Sequence, residues 1–308
     1  MASDPTLSSS AVQAPRPAPL GRGALATAAL ALLALLLLAW QVALHWDAPG
    51  LQAALRSGLL CAGATALGGV VVLVVRRLPQ RLADGILGFG AGVMLAATAF
   101  SLLLPALDAA GRQVAGGIAA GIVVSLGLCA GVVAMLLLDR VIPHAHLDAD
   151  GHTTRREGLH GWLPPQVALF VLAIVLHNVP EGMAVGVAAG SGMPGAEKFS
   201  LAIALQDAPE GLVVALALFG AGVSRARAAL LGALSGIVEP LAALPAALAI
   251  HASTALLPWG LAFAGGAMLF AVSHEVIPES HRNGHETSAT IGLVLGFCLM
   301  MVMDTGLG

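Results

Sequence analysis

Tyrosine is missing from all 308 residues, and charge is nearly so: Asp, Glu, Lys and Arg together make up 10%. An ordinary soluble domain carries about 25% charged residues, so composition excludes that class. Paired cysteines are absent too. Cys61, Cys129 and Cys298 are scattered singly through apolar runs, which excludes a disulfide framework and leaves them reading as small core hydrophobes. The formal net charge of −3 lies mostly in short loops and points to no nucleic-acid partner. Lysine occurs once, as Lys198, against thirteen arginines; in an Ala-rich chain this fits a GC-rich bacterial genome. What the chain has instead is apolar bulk: 58% hydrophobic residues and a mean hydropathy of +0.90. The four tryptophans, Trp40, Trp46, Trp162 and Trp259, fall near the ends of apolar runs, where interfacial anchors belong.

The first 22 residues are polar and rich in Pro, Ser and Ala, and read as a disordered cytoplasmic tail. Apolar spans follow at 24–45, 51–75, 84–107, 114–138, 165–190, 199–221, 227–250, 256–277 and 287–306. Each is close to or above the ~20 residues that cross a bilayer as helix. The first is too long for the apolar core of a signal peptide and reads as a retained helix over 23–46. Nine alternating spans put eleven basic residues on the side of the N-terminus: Arg16, Arg22, Arg76, Arg77, Arg81, Arg140, Arg155, Arg156, Arg225, Arg227 and Arg282. Only Arg56, Arg112 and Lys198 fall on the other. This bias predicts a cytoplasmic N-terminus and an extracytoplasmic C-terminus, in a bacterial plasma membrane.

Most acidic residues sit at span ends or in loops, but Glu181, Asp207, Glu210 and Glu239 fall near the bilayer midplane. An acid there costs about 2.5–3.5 kcal/mol on insertion scales, and no Lys or Arg lies at that depth to offset it. The counter-charge must come from outside the protein, as protons or bound cations. Three of the acids belong to two related hexapeptides, "HNVPEG" (177–182) and "QDAPEG" (206–211), which begin 29 positions apart. His177 and Glu181 are spaced i, i+4, and Asn178 and Glu181 i, i+3; Gln206, Asp207 and Glu210 repeat the geometry on the next helix. Pro180 and Pro209 each remove a backbone donor and predict a helix opened where the polar residues meet. Met94 lies at similar depth and offers a thioether. Such a donor set suits a borderline d-block cation better than Mg²⁺ or Ca²⁺.

From about residue 50 onward the chain resembles the ZIP (Zrt/Irt-like) divalent metal transporters. "HNVPEG" and "QDAPEG" look like the family's fourth and fifth core helices, "SGIVEP" its sixth, and "SHEVIPESHRNGHE" its seventh with the following loop. The nearest likeness is to bacterial members with a two-metal centre. The implied fold is an all-α integral membrane protein, an eight-helix bundle over 47–308 with one extra N-terminal transmembrane helix. Carried over position by position, the resemblance implies one metal held by Met94, His177, Glu181, Gln206 and Glu210. The second would be held by Asn178, Glu181, Asp207, Glu210 and Glu239, with Glu181 and Glu210 bridging. Many members have His at the Gln206 position and a neutral residue at Asp207, so metal preference is where this chain departs. The family also implies uptake towards the cytoplasm, with zinc the commonest substrate and cadmium, iron or manganese companions. No cofactor is implied. In the family, core helices one, four, five and six move as a block; partners are the metal, the bilayer and a second copy in a homodimer.

The loop 139–163 is rich in histidine, with His144, His146, His152 and His160. His144, His146 and His152, together with His274, Glu275 and His285 farther on, form a candidate exit-side metal set. Ser101 and Asp108 are candidate entrance residues. Two other classes compete. An intramembrane metal-dependent hydrolase needs His-Glu-x-x-His, but "HEVIP" places Pro278 at the second His. A proton-coupled carrier of an organic solute would use the same carboxylates, but gives no reason for paired Glu. A non-enzymatic metal transporter is the expectation.

Overall fold

A backbone with no water to bond must satisfy its own N–H and C=O groups, and long Leu-, Ala-, Val- and Gly-rich runs do so as helices. A computed structural model describes residues 33, 36–75, 78–141 and 165–306, and among them the chain is helical with no strand. The expected tail and most of the His-rich loop lie outside the described residues. Of the expected extra helix at 23–46, residues 36–44 are seen as helix. Eight long helical segments follow: α1 (Pro49–Val71), α2 (Gln80–Gln113), α3 (Gly117–Val141), α4 (Pro165–Gly190), α5 (Ala196–Gly220), α6 (Arg225–Ala252), α7 (Thr254–His281) and α8 (Glu286–Gly306). Among the described residues, seven helices are long and apolar enough to cross a membrane.

The irregularities differ from the expectation. α4 and α5 run through Pro180 and Pro209 without a break, so the two prolines withhold a donor but do not open the helix. The break falls instead in α6, at a turn over Gly236–Ile237. Helix restarts at Val238, which places Glu239 in a first turn, where free N–H groups favour a carboxylate. α2 and α7 each contain a π-helical stretch, Ala97–Leu103 and Val272–Val276. The wider turn shifts every later side chain around the axis, a feature that recurs at functional sites.

Packing sorts the helices into two groups. In the first, α1 packs equally on α5 and α6 and less on α4, and α4 packs on α6. In the second, α8 packs on α2 and α3 on α7. Within each group backbone touches backbone. A Cβ at Gly88 or Gly92 of α2 would strike the Ala289 or Leu293 carbonyl of α8, and Gly292 and Gly296 return the contact. Gly131 and Gly266 lock α3 to α7 in the same way, Gly68 and Gly211 lock α1 to α5, and Gly182 and Gly186 lock α4 to α6. Where the groups meet, glycine faces side chains: a Cβ at Gly90 would lie 3.3 Å from Gln206 Oε1, and one at Gly260 would meet the ends of Ile250 and Val187. In a membrane such small-residue contacts supply the packing that hydrophobicity cannot. Two tightly seamed bodies therefore meet along a softer boundary.

The seams make a direct prediction. Gly88→Leu should cost about 1–3 kcal/mol or more, as overpacking does, and lower the thermal midpoint in detergent. Gly111→Leu, at a position with nothing within 4 Å of an added Cβ, should leave the midpoint near the parent value.

Candidate metal centre

The centre is assembled almost wholly by the first group. α4 supplies His177, Asn178 and Glu181; α5 supplies Gln206, Asp207 and Glu210; α6 supplies Glu239; and α1 supplies Cys61 and Thr65. Helical spacing puts each trio on one face, and the glycine one residue beyond each Pro-Glu lets a neighbouring backbone come close: Gly182 lies against Glu239, Gly211 against Thr65. Glu181, Gln206, Asp207 and Glu239 are all 2% exposed or less.

The hydrogen bonds run among the polar residues themselves. Gln206 Nε2 donates to Glu181 Oε1 and, at 2.8 Å, to Asp207 Oδ1. Thr65 Oγ1 donates to Glu239 Oε1 at 2.9 Å, and Asn178 Nδ2 reaches the same oxygen at 3.4 Å. His177 lies between two carboxylates, Nδ1 at 3.1 Å from Glu275 Oε2 and Nε2 at 3.8 Å from Glu210 Oε1. These donors cover half of each carboxylate and no more. Asn178 Oδ1, Glu181 Oε2, Asp207 Oδ2 and Glu239 Oε2 are buried and find no protein donor. The Arg–carboxylate pairs among the described residues, Arg112 with Asp108 and Arg282 with Glu279, are exposed and give the centre nothing.

Two subsets bring metal-ligating atoms within 4.8 Å of one another: His177 with Glu181 and Glu210, and Cys61 with Asp207 and Glu239. Imidazole nitrogen and carboxylate oxygen fit a borderline divalent ion in the first, and both subsets carry buried acceptors that such an ion would satisfy. All seven of the polar residues expected from the sequence, from His177 to Glu239, come together here. Met94 is fully buried in the central core, one turn beyond Gly90, which faces Gln206. A small, narrow cleft lined by Ile86, Leu87, Gly90, Gln206, Glu210 and Val276 lies beside the centre between α2, α5 and α7, on the side of the α2 N-terminus.

The peripheral candidates are not gathered into one place. Glu275 turns inward to His177, carried there by the π-helical stretch of α7. His274 stacks on Phe270 with ring centroids 4.8 Å apart. His285 pairs with Asp84 Oδ2 at 3.0 Å, on a fully buried carboxylate that also accepts from Gln80 and Asn283. His144, His146 and His152 lie outside the described residues. Ser101 donates to Asp304 at 2.8 Å, tying α2 to the end of α8, and Asp108 pairs with Arg112. Sequence reasoning missed Cys61, Thr65 and the inward aim of Glu275. Cys61 and Thr65 are spaced i, i+4, the signal that identified the hexapeptides, but two small residues in an apolar run do not raise it above background.

The family described as ZIP Zinc transporter matches residues 153–304. The chain is 49% identical over 251 residues to the zinc transporter ZIPB of Bordetella bronchiseptica, covering 80% of this chain and 78% of that protein. It is 45% identical over 257 residues to the zinc transporter GufA of Myxococcus xanthus, covering 83% and 99%. It is 34% identical over 323 aligned positions to human zinc transporter ZIP11, covering 80% and 94%.

Thr65 is the donor whose removal isolates the electrostatics of the centre. Thr65→Val keeps the volume but leaves Glu239 Oε1 with the long Asn178 contact alone, and should cost about 1–3 kcal/mol. Thermal scans of the metal-free protein in chelator should show the loss as a lower midpoint.

Proposed function

The chain belongs to the ZIP zinc transporter family, and on that premise we propose that it carries divalent d-block cations, zinc foremost, into the cytoplasm through the central cluster. It is a membrane transporter and not an enzyme. The observation that carries the reading is the set of buried acceptor oxygens on Asn178, Glu181, Asp207 and Glu239 with no protein donor. Buried charge persists only where it is paired or coordinates a metal. We assign a first position to His177, Glu181, Gln206 and Glu210, with Met94 beside it. A second takes Asn178, Asp207 and Glu239, the two bridged by Glu181 and Glu210. Cadmium, iron and manganese are secondary cargoes.

The division into two groups supports a carrier that alternates access. Every acidic ligand sits on α1, α4, α5 or α6, bound to one another by glycine seams, so the cargo travels with that body. The second body presents side chains along the boundary, where sliding breaks few backbone contacts. The cleft beside Ile86 and Leu87 is the inward path, and the positive-inside bias sets it towards the cytoplasm, with nine spans and an extracytoplasmic C-terminus. Glu275, 3.1 Å from His177 and belonging to the second body, accepts the imidazole N–H and orients the ring. Two charges falling through 100 mV release about 4.6 kcal/mol, enough to drive inward flow without ATP.

Reconstituted into liposomes with an internal zinc indicator, the protein should take up Zn²⁺, and Glu181→Ala should reduce uptake to that of protein-free liposomes. Glu279→Ala, at an exposed carboxylate, should leave uptake near the parent rate. Unchanged flux in Glu181→Ala would sink the assignment.

A further inference from the structure

Cys61 is buried, whereas Cys129 and Cys298 are exposed on α3 and α8. A buried thiol is ordinarily a small hydrophobe among hydrophobes. This one is not so placed. Its Sγ lies within 4.8 Å of a carboxylate oxygen of both Asp207 and Glu239. Its own hydrogen bond, to the Ser200 carbonyl, is 3.6 Å long. Asp207 and Glu239, 2% and 0% exposed, each keep one buried oxygen without a donor. One turn along α1, Thr65 points the same way and holds the other Glu239 oxygen. Sulfur and two buried carboxylates, each with one oxygen lacking a donor, thus converge from three helices of one seamed group.

We propose that Cys61 is a ligand at the second metal position and biases the transporter towards thiophilic cations, cadmium and zinc, over manganese. The inference rests on the central cluster being the transport site. Bonds of ~2.3 Å to sulfur and ~2.0–2.2 Å to oxygen set neighbouring ligands of a tetrahedral ion about 3.4–3.6 Å apart, so the cluster closes on an ion by contracting on the order of 1 Å. On binding, the S–H bond breaks, the electron pair stays on sulfur and forms the metal–sulfur bond, and the proton leaves to bulk water. Two carboxylates then share the remaining charge of the dication. A soft donor beside hard ones moves selectivity along the series, because manganese gains little from sulfur whereas cadmium and zinc gain much.

In the full chain carrying Cys129→Ser and Cys298→Ser, Cys61 is the sole thiol. Cadmium titration of this protein in detergent should raise an ultraviolet cadmium–thiolate charge-transfer band. Adding Cys61→Ser or Cys61→Ala should abolish the band. Either should also lower the ratio of Cd²⁺ to Mn²⁺ uptake in liposomes by about 10–100-fold, at least the loss typical of removing an outer partner of a metal site. His177→Ala acts at the other position and should keep the band even where uptake stops. Absence of uptake in every protein with the band intact would sink the transport reading and uphold the ligand. Cadmium binding without a thiolate band in the Cys61-only protein, or an unchanged Cd²⁺/Mn²⁺ ratio in both Cys61 variants, would overturn the proposal.

Discussion

A carboxylate taken out of water without a partner costs several kcal/mol, and this chain buries Glu181, Asp207 and Glu239 almost completely. No ammonium or guanidinium among the described residues reaches them, and the amide and hydroxyl donors nearby cover only half of their oxygens. Much of the surrounding architecture lowers that cost without removing it. The break in α6 sets Glu239 in the first turn of a new helix, at the positive end of its dipole. Thr65 and Gln206 each spend their polar hydrogen on one oxygen of a pair and leave the other free. The centre is thereby stable enough to persist and still short of positive charge, which is what a binding site for a passing cation requires. A Lys at this depth would satisfy the same carboxylates and abolish the site.

The second consequence concerns which parts move together. The polar residues of the centre span four helices, and any relative motion among those helices would change the distances between them. Glycine seams prevent that by setting backbone against backbone, leaving no flexible side chain to yield. Across the other boundary the chain uses Met94, Gln206, Val187 and Ile250 side chains, which can exchange neighbours. Glu275 adds a carboxylate there, reaching over the boundary to His177. It is also the residue whose role depends most on a local irregularity, since a regular α-helix through Val272–Val276 would turn it elsewhere.

The hexapeptides made the centre legible in the sequence because acids deep in apolar runs are costly wherever they occur, and because i, i+3 and i, i+4 spacing fixes a face whatever the tertiary fold. Glu239 was legible for the same reason. The all-helical class and the approximate limits of the described helices followed from hydropathy. What failed was local geometry. Pro180 and Pro209 promised openings, yet α4 and α5 absorb them, because a single missing N–H within a packed helix disturbs one bond only. The break at Gly236–Ile237 carries no proline before it and gave no such signal. The π-helical stretches are equally silent, and with them the separation of His274, Glu275 and His285 to three different partners. Cys61 was illegible for a statistical reason: most buried cysteines are filler, and only the approach of α5 and α6 shows that this one faces carboxylates.

The glycine seams have a genetic side. Glycine alone lacks a Cβ, so every missense change at Gly88, Gly92, Gly131, Gly266, Gly292 or Gly296 adds an atom where a neighbouring carbonyl already lies. There is no conservative replacement at such a codon, not even alanine. The lipid-facing sides of the same helices, where leucine, valine and isoleucine stand 50% or more exposed at Leu126, Val133, Ile291 and Leu295, can drift freely among apolar types. Sequence divergence in this protein should therefore run in stripes along each helix, invariant on one face and loose on the other.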